Sequence, residues 1–222
     1  MDPLLSSTWQ SVLTPETLLG IAVGLGLAAA AGFRVFVPLL VASLAARTGM
    51  LTLGPEYGWL SSTLAIAALS TATLLEIGAY SVPWLDQLLD VVATPAALLA
   101  GMLATAAVVV DVPPALSWAL VLMGAGAAGL TQGATVLTRL KSTTVTSGVA
   151  NPFVSMGELV GAVITSLLAI FLPVVALVML AFLLVVMTRR LGRVAFGRRA
   201  ASRSAAEQAV RPPRVPRGGA KS

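Results

Sequence analysis

The chain has 222 residues, of which 57% are hydrophobic and 10% charged, with a net charge of +5 and a mean hydropathy of +0.94. Soluble domains carry roughly 25% charged residues, so this apolar excess points to a bilayer rather than a water-facing core. Cysteine and histidine are both missing, which excludes disulfides and thiolate metal sites and removes the commonest metal ligand and the usual neutral-pH proton shuttle; no cofactor and no metal centre are expected.

Residues 1–17 contain Asp2 and Glu16 but no Lys or Arg, unlike the positive start of a secretory signal. They read as an interfacial segment with Trp9 at headgroup depth. A run of roughly 20 apolar residues matches a hydrocarbon core of about 30 Å. Such runs follow at 18–46, 59–80, 95–111, 116–137, 153–171 and 174–188. The last is short, and Arg189 and Arg190 can snorkel to its end. The expected fold is all-α: a polytopic transmembrane bundle of about six spans over residues 18–188.

Three segments begin alike, at Thr14-Pro15, Thr94-Pro95 and Asn151-Pro152. Thr or Asn caps an orphan N–H, and Pro at the first helical position gives up only a donor that had no partner. Helices are predicted to start at each. Gly and Ala crowd residues 20–32 and 124–133, so these two helices are expected to touch through Gly26, Gly32, Gly126, Gly129 or Gly133. Residues 81–95 are too polar to cross and read as a short amphipathic or re-entrant helix between spans 2 and 3. Asp86 and Asp90 share one face of it at i, i+4, a weak cation site or simply a solvated face. Pro173 separates the last two runs into a helical hairpin. The echo between VPWLD (82–86) and NPFVS (151–155) is of the kind that internal repeats leave in transporters.

Residues 189–222 hold ten of the 14 basic residues and one acid, Glu207. Composition marks this tail as disordered. Basic residues beside a membrane segment stay cytoplasmic, so the C-terminus, and with six spans the N-terminus, is placed inside, as is the short loop expected to carry Arg139 and Lys141. The tail is read as a topology determinant that meets anionic lipids, not nucleic acid.

At GFRVFVPLL (32–40), LLEIGAYSVPWLDQLLDVVATP (74–95) and RLKSTTVTSGVANPFVSMGE (139–158) the chain resembles a bacterial membrane family known as domain of unknown function 4126. The resemblance implies a helical fold over about residues 18–188 and the bacterial cytoplasmic (inner) membrane, and supplies no activity. The family pattern has an Asp-Lys pair where this chain has Tyr80 and Ser81, and often a second acid at Leu159.

Three charges fall at membrane depth. Arg34 lies roughly 28 Å along a helix that starts at Pro15, and a charge there costs at least about 2.5 to 3.5 kcal/mol on insertion scales. It needs a buried partner or a water-filled cavity, unless a break near Gly32, assisted by Pro38, lets it reach the surface. Glu76 lies roughly 26 Å beyond Trp59 and Glu158 roughly 9 Å inside the helix from Pro152. Glu158, before Glu76, is the expected partner of Arg34. The hydroxyl run from Thr135 to Ser147, including Thr143 and Thr146, leads to Asn151. Either its hydroxyls line a solute path in irregular backbone, or it is an ordinary loop.

These residues suggest a small transporter or channel-like protein for an unknown solute or ion, with Arg34, Glu76, Glu158, Asn151, Thr143 and Thr146 facing a polar interior. A non-transporting scaffold, held together by the same buried charges, is the alternative. A lipid-handling enzyme fits less well, because no nucleophile–base pair is recognisable. A homo-oligomer is compatible with either reading. The topology has a direct test on this Cys-free background: cysteines at Ser6 and Ser204 are expected to resist an impermeant thiol reagent in intact cells, and labelling of Ser204→Cys from outside would overturn the orientation.

Overall fold

Thr14 accepts a hydrogen bond from the Thr17 N–H at 3.3 Å and Pro15 takes the first helical position, so the first helix starts where the Thr-Pro signal places it. In the computed structural model, residues 14–80, 83–182, 185, 186 and 189 are described, those at 83–90 by backbone alone. The N-terminal segment through residue 13 and almost all of the basic tail lie outside them. Among the described residues the α-helices are, in order, α1 (Pro15–Ala31), α2 (Phe36–Arg47), α3 (Thr63–Ala79), α4 (Pro83–Val108), α5 (Pro114–Thr146) and α6 (Asn151–Phe171), then α7 (Pro173–Phe182). A 3₁₀ turn at Pro55–Ser61 precedes α3. No strand occurs among the described residues.

The core is a column of small residues. Every residue of α1 from Ala22 to Ala31 is buried, and the helix packs on α4, α5, α6 and α2. Lipid is thus replaced by protein around this apolar helix. Close approach is what its glycines provide: a Cβ on Gly24 would lie 3.2 Å from Thr105 Cα, and one on Gly26 would lie 2.7 Å from Ala169 Cβ. A Cβ on Gly32 would collide with the Ala128 carbonyl and Thr131. Between α4 and α5, Gly101 and Gly124 face one another, and a Cβ on either would lie 2.7 Å from the other's carbonyl oxygen.

The expected contact between the two small-residue helices is therefore made at Gly32. Gly26 packs instead on α6 and α7, and Gly129 meets Leu98 of α4. Added Cβ atoms on Gly126 and Gly133 would meet open space. Composition alone cannot tell which side of a small-residue helix faces its neighbour.

Among the described residues, three helices are long and apolar enough to cross a bilayer, α4 (over Val91–Val108), α5 and α6, and the 3₁₀ turn with α3 makes a fourth if that pair, bent by 63°, is one span. The expected run 18–46 is two shorter helices, and the run 174–188 is described as helix through Phe182 and again at Val185 and Val186. Large apolar side chains point outward along the bundle: Leu64 is 81% exposed, Phe153 80% and Leu74 70%. An apolar surface of this extent marks a protein built for lipid contact.

The polar segment 81–95 does not stand apart from the next span. A single 26-residue helix runs from Pro83 to Val108 with Pro95 inside it, so the Thr94-Pro95 signal is not used as a start. A proline in a helix removes one internal hydrogen bond, and Pro83 takes the first turn in its place. Asp86 and Asp90 lie on this helix, but their side chains are outside the described residues.

Adding bulk should distinguish packed from open glycines. Gly32→Leu and Gly124→Leu are expected to lower the unfolding temperature in detergent by overpacking, at least about 1–3 kcal/mol each, while Gly126→Leu and Gly133→Leu stay near wild type. Equal losses at all four would contradict the assigned faces.

Candidate functional site

Pro38 disfavours continuation of the first helix. Its ring would strike the carbonyl of the residue four before it, which is Arg34, if the helix ran on. The chain breaks at residues 32–35, with Arg34 N still bonded to Ala30 O at 3.3 Å and α2 restarting at Phe36. The break does not carry Arg34 to the surface: it is 2% exposed.

A new helix start inside the protein needs acceptors for its first N–H groups. Val35, the residue before α2, provides no side-chain cap. Glu76 does so from α3: its carboxylate accepts the N–H of Val35 at 2.9 Å and of Phe36 at 3.3 Å. Glu76 is buried, so it does not snorkel to the interface.

Arg34 reaches α6. Its Nη2 donates to Ser155 O at 3.0 Å and to Ser155 Oγ, and lies 4.0 Å from Glu158 Oε2. Its guanidinium sits 3.8 Å from the Tyr80 ring centroid. Nε and Nη1 have no protein hydrogen-bond partner.

The closest partner of Glu158 is Arg139. Arg139 Nε donates to Glu158 Oε1 at 2.8 Å and Nη2 pairs with Oε2, the two-pronged geometry that makes Arg–carboxylate pairs strong. Its guanidinium also lies over Tyr80, 4.1 Å from the centroid, so one aromatic ring serves two cations. Among the described side chains, Arg34, Glu76, Arg139 and Glu158 together form a buried group with two charges of each sign.

Arg139 is the residue that sequence reasoning placed wrongly, in a short loop. In fact α5 continues for 33 residues, roughly 50 Å, and Arg139 is 5% exposed. The signal was available in the spacing. Ala128, Thr131, Thr135 and Arg139 follow one helical face, and all four are buried. Arg139 and Glu158 also lie equally far, roughly 10 Å, from the ends of the two helices that meet at the α5–α6 turn.

The hydroxyl run is helical through Thr146 rather than irregular. Thr131, Thr135, Thr138, Thr144 and Thr146 donate to carbonyls of their own helix, as hydroxyls in helices do. Thr143 and Asn151 bond each other, with Asn151 Nδ2 donating at 3.1 Å. Thr146 Oγ1 accepts from the Ala150 N–H at 3.2 Å. These three candidates fasten the α5–α6 turn, where Ser147 and Gly148 adopt φ of +53° and +87°.

Among the described residues, two cavities open between the helices. One of about 830 Å³ is lined by Glu56, Tyr57, Asp111 and Trp118 among apolar residues. The other, of about 410 Å³, is lined by Phe33, Thr131, Thr165, Met179 and Phe182 among others. Neither is lined by any of the four clustered charges.

Breaking a buried pair by removing one partner strands the other at roughly 3–5 kcal/mol. Arg139→Ala and Glu158→Ala are each expected to lower thermal stability by that order, and Arg139→Met with Glu158→Gln together by less than the sum. Strict additivity would deny the pairing. Arg34→Ala should cost less than Arg139→Ala, because Glu158 keeps its two-pronged partner.

No curated protein and no solved structure matches the chain. The profile of one family matches residues 21–193, a stretch that includes the helix break and all four clustered charges. The chain belongs to the family described as domain of unknown function (DUF4126).

Proposed function

We propose that the protein is a small membrane transporter or channel-like protein in which the buried charge cluster is the gate. One observation carries this reading: Arg34 is buried at a helix break with two donor nitrogens unused, and it shares Glu158 with Arg139. A charge group retained only for packing is best fully bonded. Two cations facing one carboxylate provide two alternative pairings, which is what a gate requires. Interrupted helices whose ends meet charges near mid-membrane are the recurring sites of secondary transporters.

In this reading α1 and α2 together act as one broken crossing and α6 with α7 as a hairpin, giving about six crossings with both termini cytoplasmic in the bacterial inner membrane. The basic tail rests on anionic lipid. The scaffold reading has one observation of its own, that neither cavity is lined by the charges. A closed gate and a permanent latch differ in what happens when the pair is loosened.

Proteoliposomes loaded with potassium halide at defined pH test this by following halide, potassium and proton flux. Wild-type protein is expected to dissipate at least one gradient, and Arg139→Met with Glu158→Gln to change that rate tenfold or more. Folded protein, wild type and variant, that leaves all three gradients intact would favour the scaffold.

A further inference from the structure

The larger cavity is built where four parts of the chain meet: the 3₁₀ turn, the last turns of α4, the connection that follows it and the first turns of α5. Backbone fixes the junction. The Gly54 N–H donates to Ala107 O at 2.8 Å, and a Cβ on Gly54 would lie 3.3 Å from Val110, so the turn is held against the end of α4.

The cavity is charged at its rim and apolar in its depth. Glu56 and Asp111, both exposed, come from the 3₁₀ turn and from the connection between α4 and α5. Leu99 lies roughly 13 Å before the end of α4 and Val121 roughly 10 Å after the start of α5, and both line the same space. The two carboxylates are free: neither has a hydrogen bond or an ion pair with another described residue. Arg47, the basic residue nearest to Glu56 in sequence, donates instead to Ser61 O and Thr63 Oγ1, and no Lys or Arg is among the residues that line the cavity.

Uncompensated negative charge calls for a cation, and the surroundings decide which kind. A calcium ion takes roughly six to eight oxygen ligands, more than two acids supply, and the described residues hold no group of three or more His, Cys, Asp or Glu placed to bind a metal. An organic cation needs fewer oxygens, because aromatic rings also attract it. Tyr57 and Trp118 line the cavity beside the acids. Its volume of about 830 Å³ suits a drug-sized molecule, for which pockets span roughly 300 to 1,000 Å³.

We propose that this cavity binds an amphiphilic organic cation, a protonated amine or quaternary onium group on an apolar body, with the charge at Glu56 and Asp111 and the body along Leu99, Trp118 and Val121. The site is independent of the transport reading, and it stands whether the buried cluster is a gate or a latch. A soluble cation and the ammonium headgroup of a lipid share this chemistry.

Tetraphenylphosphonium is the probe and triphenylphosphine oxide its neutral control, each followed by equilibrium dialysis against full-length protein in dodecyl maltoside. Wild type is expected to bind the cation saturably, Glu56→Gln with Asp111→Asn to weaken it about tenfold or more, and Trp118→Leu about threefold, with the neutral control unchanged. Asn tolerates a positive φ as Asp does, so the +58° at Asp111 is kept; Glu56→Gln alone is read if the double variant does not fold. Displacement of the probe by phosphatidylethanolamine, but not by diacylglycerol, would assign the site to a lipid headgroup, and retention of the probe would assign it to a soluble cation. The proposal is overturned if wild type shows no saturable binding of the cation, if the folded acid-free variant binds it equally well, or if the neutral compound loses affinity in parallel.

Discussion

A proline inside a helix loses a hydrogen bond and crowds the carbonyl four residues back, at about 3 kcal/mol, and at Pro38 that strain is relieved by a break, with α2 starting just before it. The first apolar run breaks near Arg34, and the break lies against α5, where Gly32 admits the backbone around Ala128. Two problems arise together: a guanidinium away from water, and a helix start with unbonded N–H groups. Glu76 solves the second through Val35 and Phe36. Ser155, Tyr80 and Glu158 partly solve the first. Five segments of the chain are thereby fastened at one point.

The remainder of the bundle isolates that point. α1 supplies a column of Ala and Gly that lets four helices approach it. On α5, Val121 at the larger cavity and Arg139 at the cluster are 18 residues apart by number, roughly 27 Å. The acidic, aromatic-lined cavity and the charge cluster thus occupy different depths of one long helix.

What the sequence makes legible is the arithmetic of depth. Arg34, Glu76 and Glu158 are too deep to ignore, and the structure buries all three. The Thr-Pro start at Pro15 is also readable, because a cap and its proline act within one turn. Pairing is less legible. Arg139 lies close in sequence to Lys141 and a run of hydroxyls, and that polarity reads as a loop when it is one face of a continued helix. Thr94-Pro95 carries the same local signal as Thr14-Pro15 yet lies inside α4, since the preceding residues already form helix. A glycine's composition gives closeness without direction, so Gly32 packs while Gly126 does not.

The central claim is that the charge cluster opens. Ser155, bonded to Arg34, reports on it most directly as the single cysteine of an otherwise Cys-free chain. In sealed vesicles, Ser155→Cys should react with a small charged thiol reagent from at most one side. It should react from both sides once the Arg139–Glu158 pair is replaced by Met and Gln. A cysteine that stays inert from both sides after the pair is removed would show the cluster to be a permanent latch.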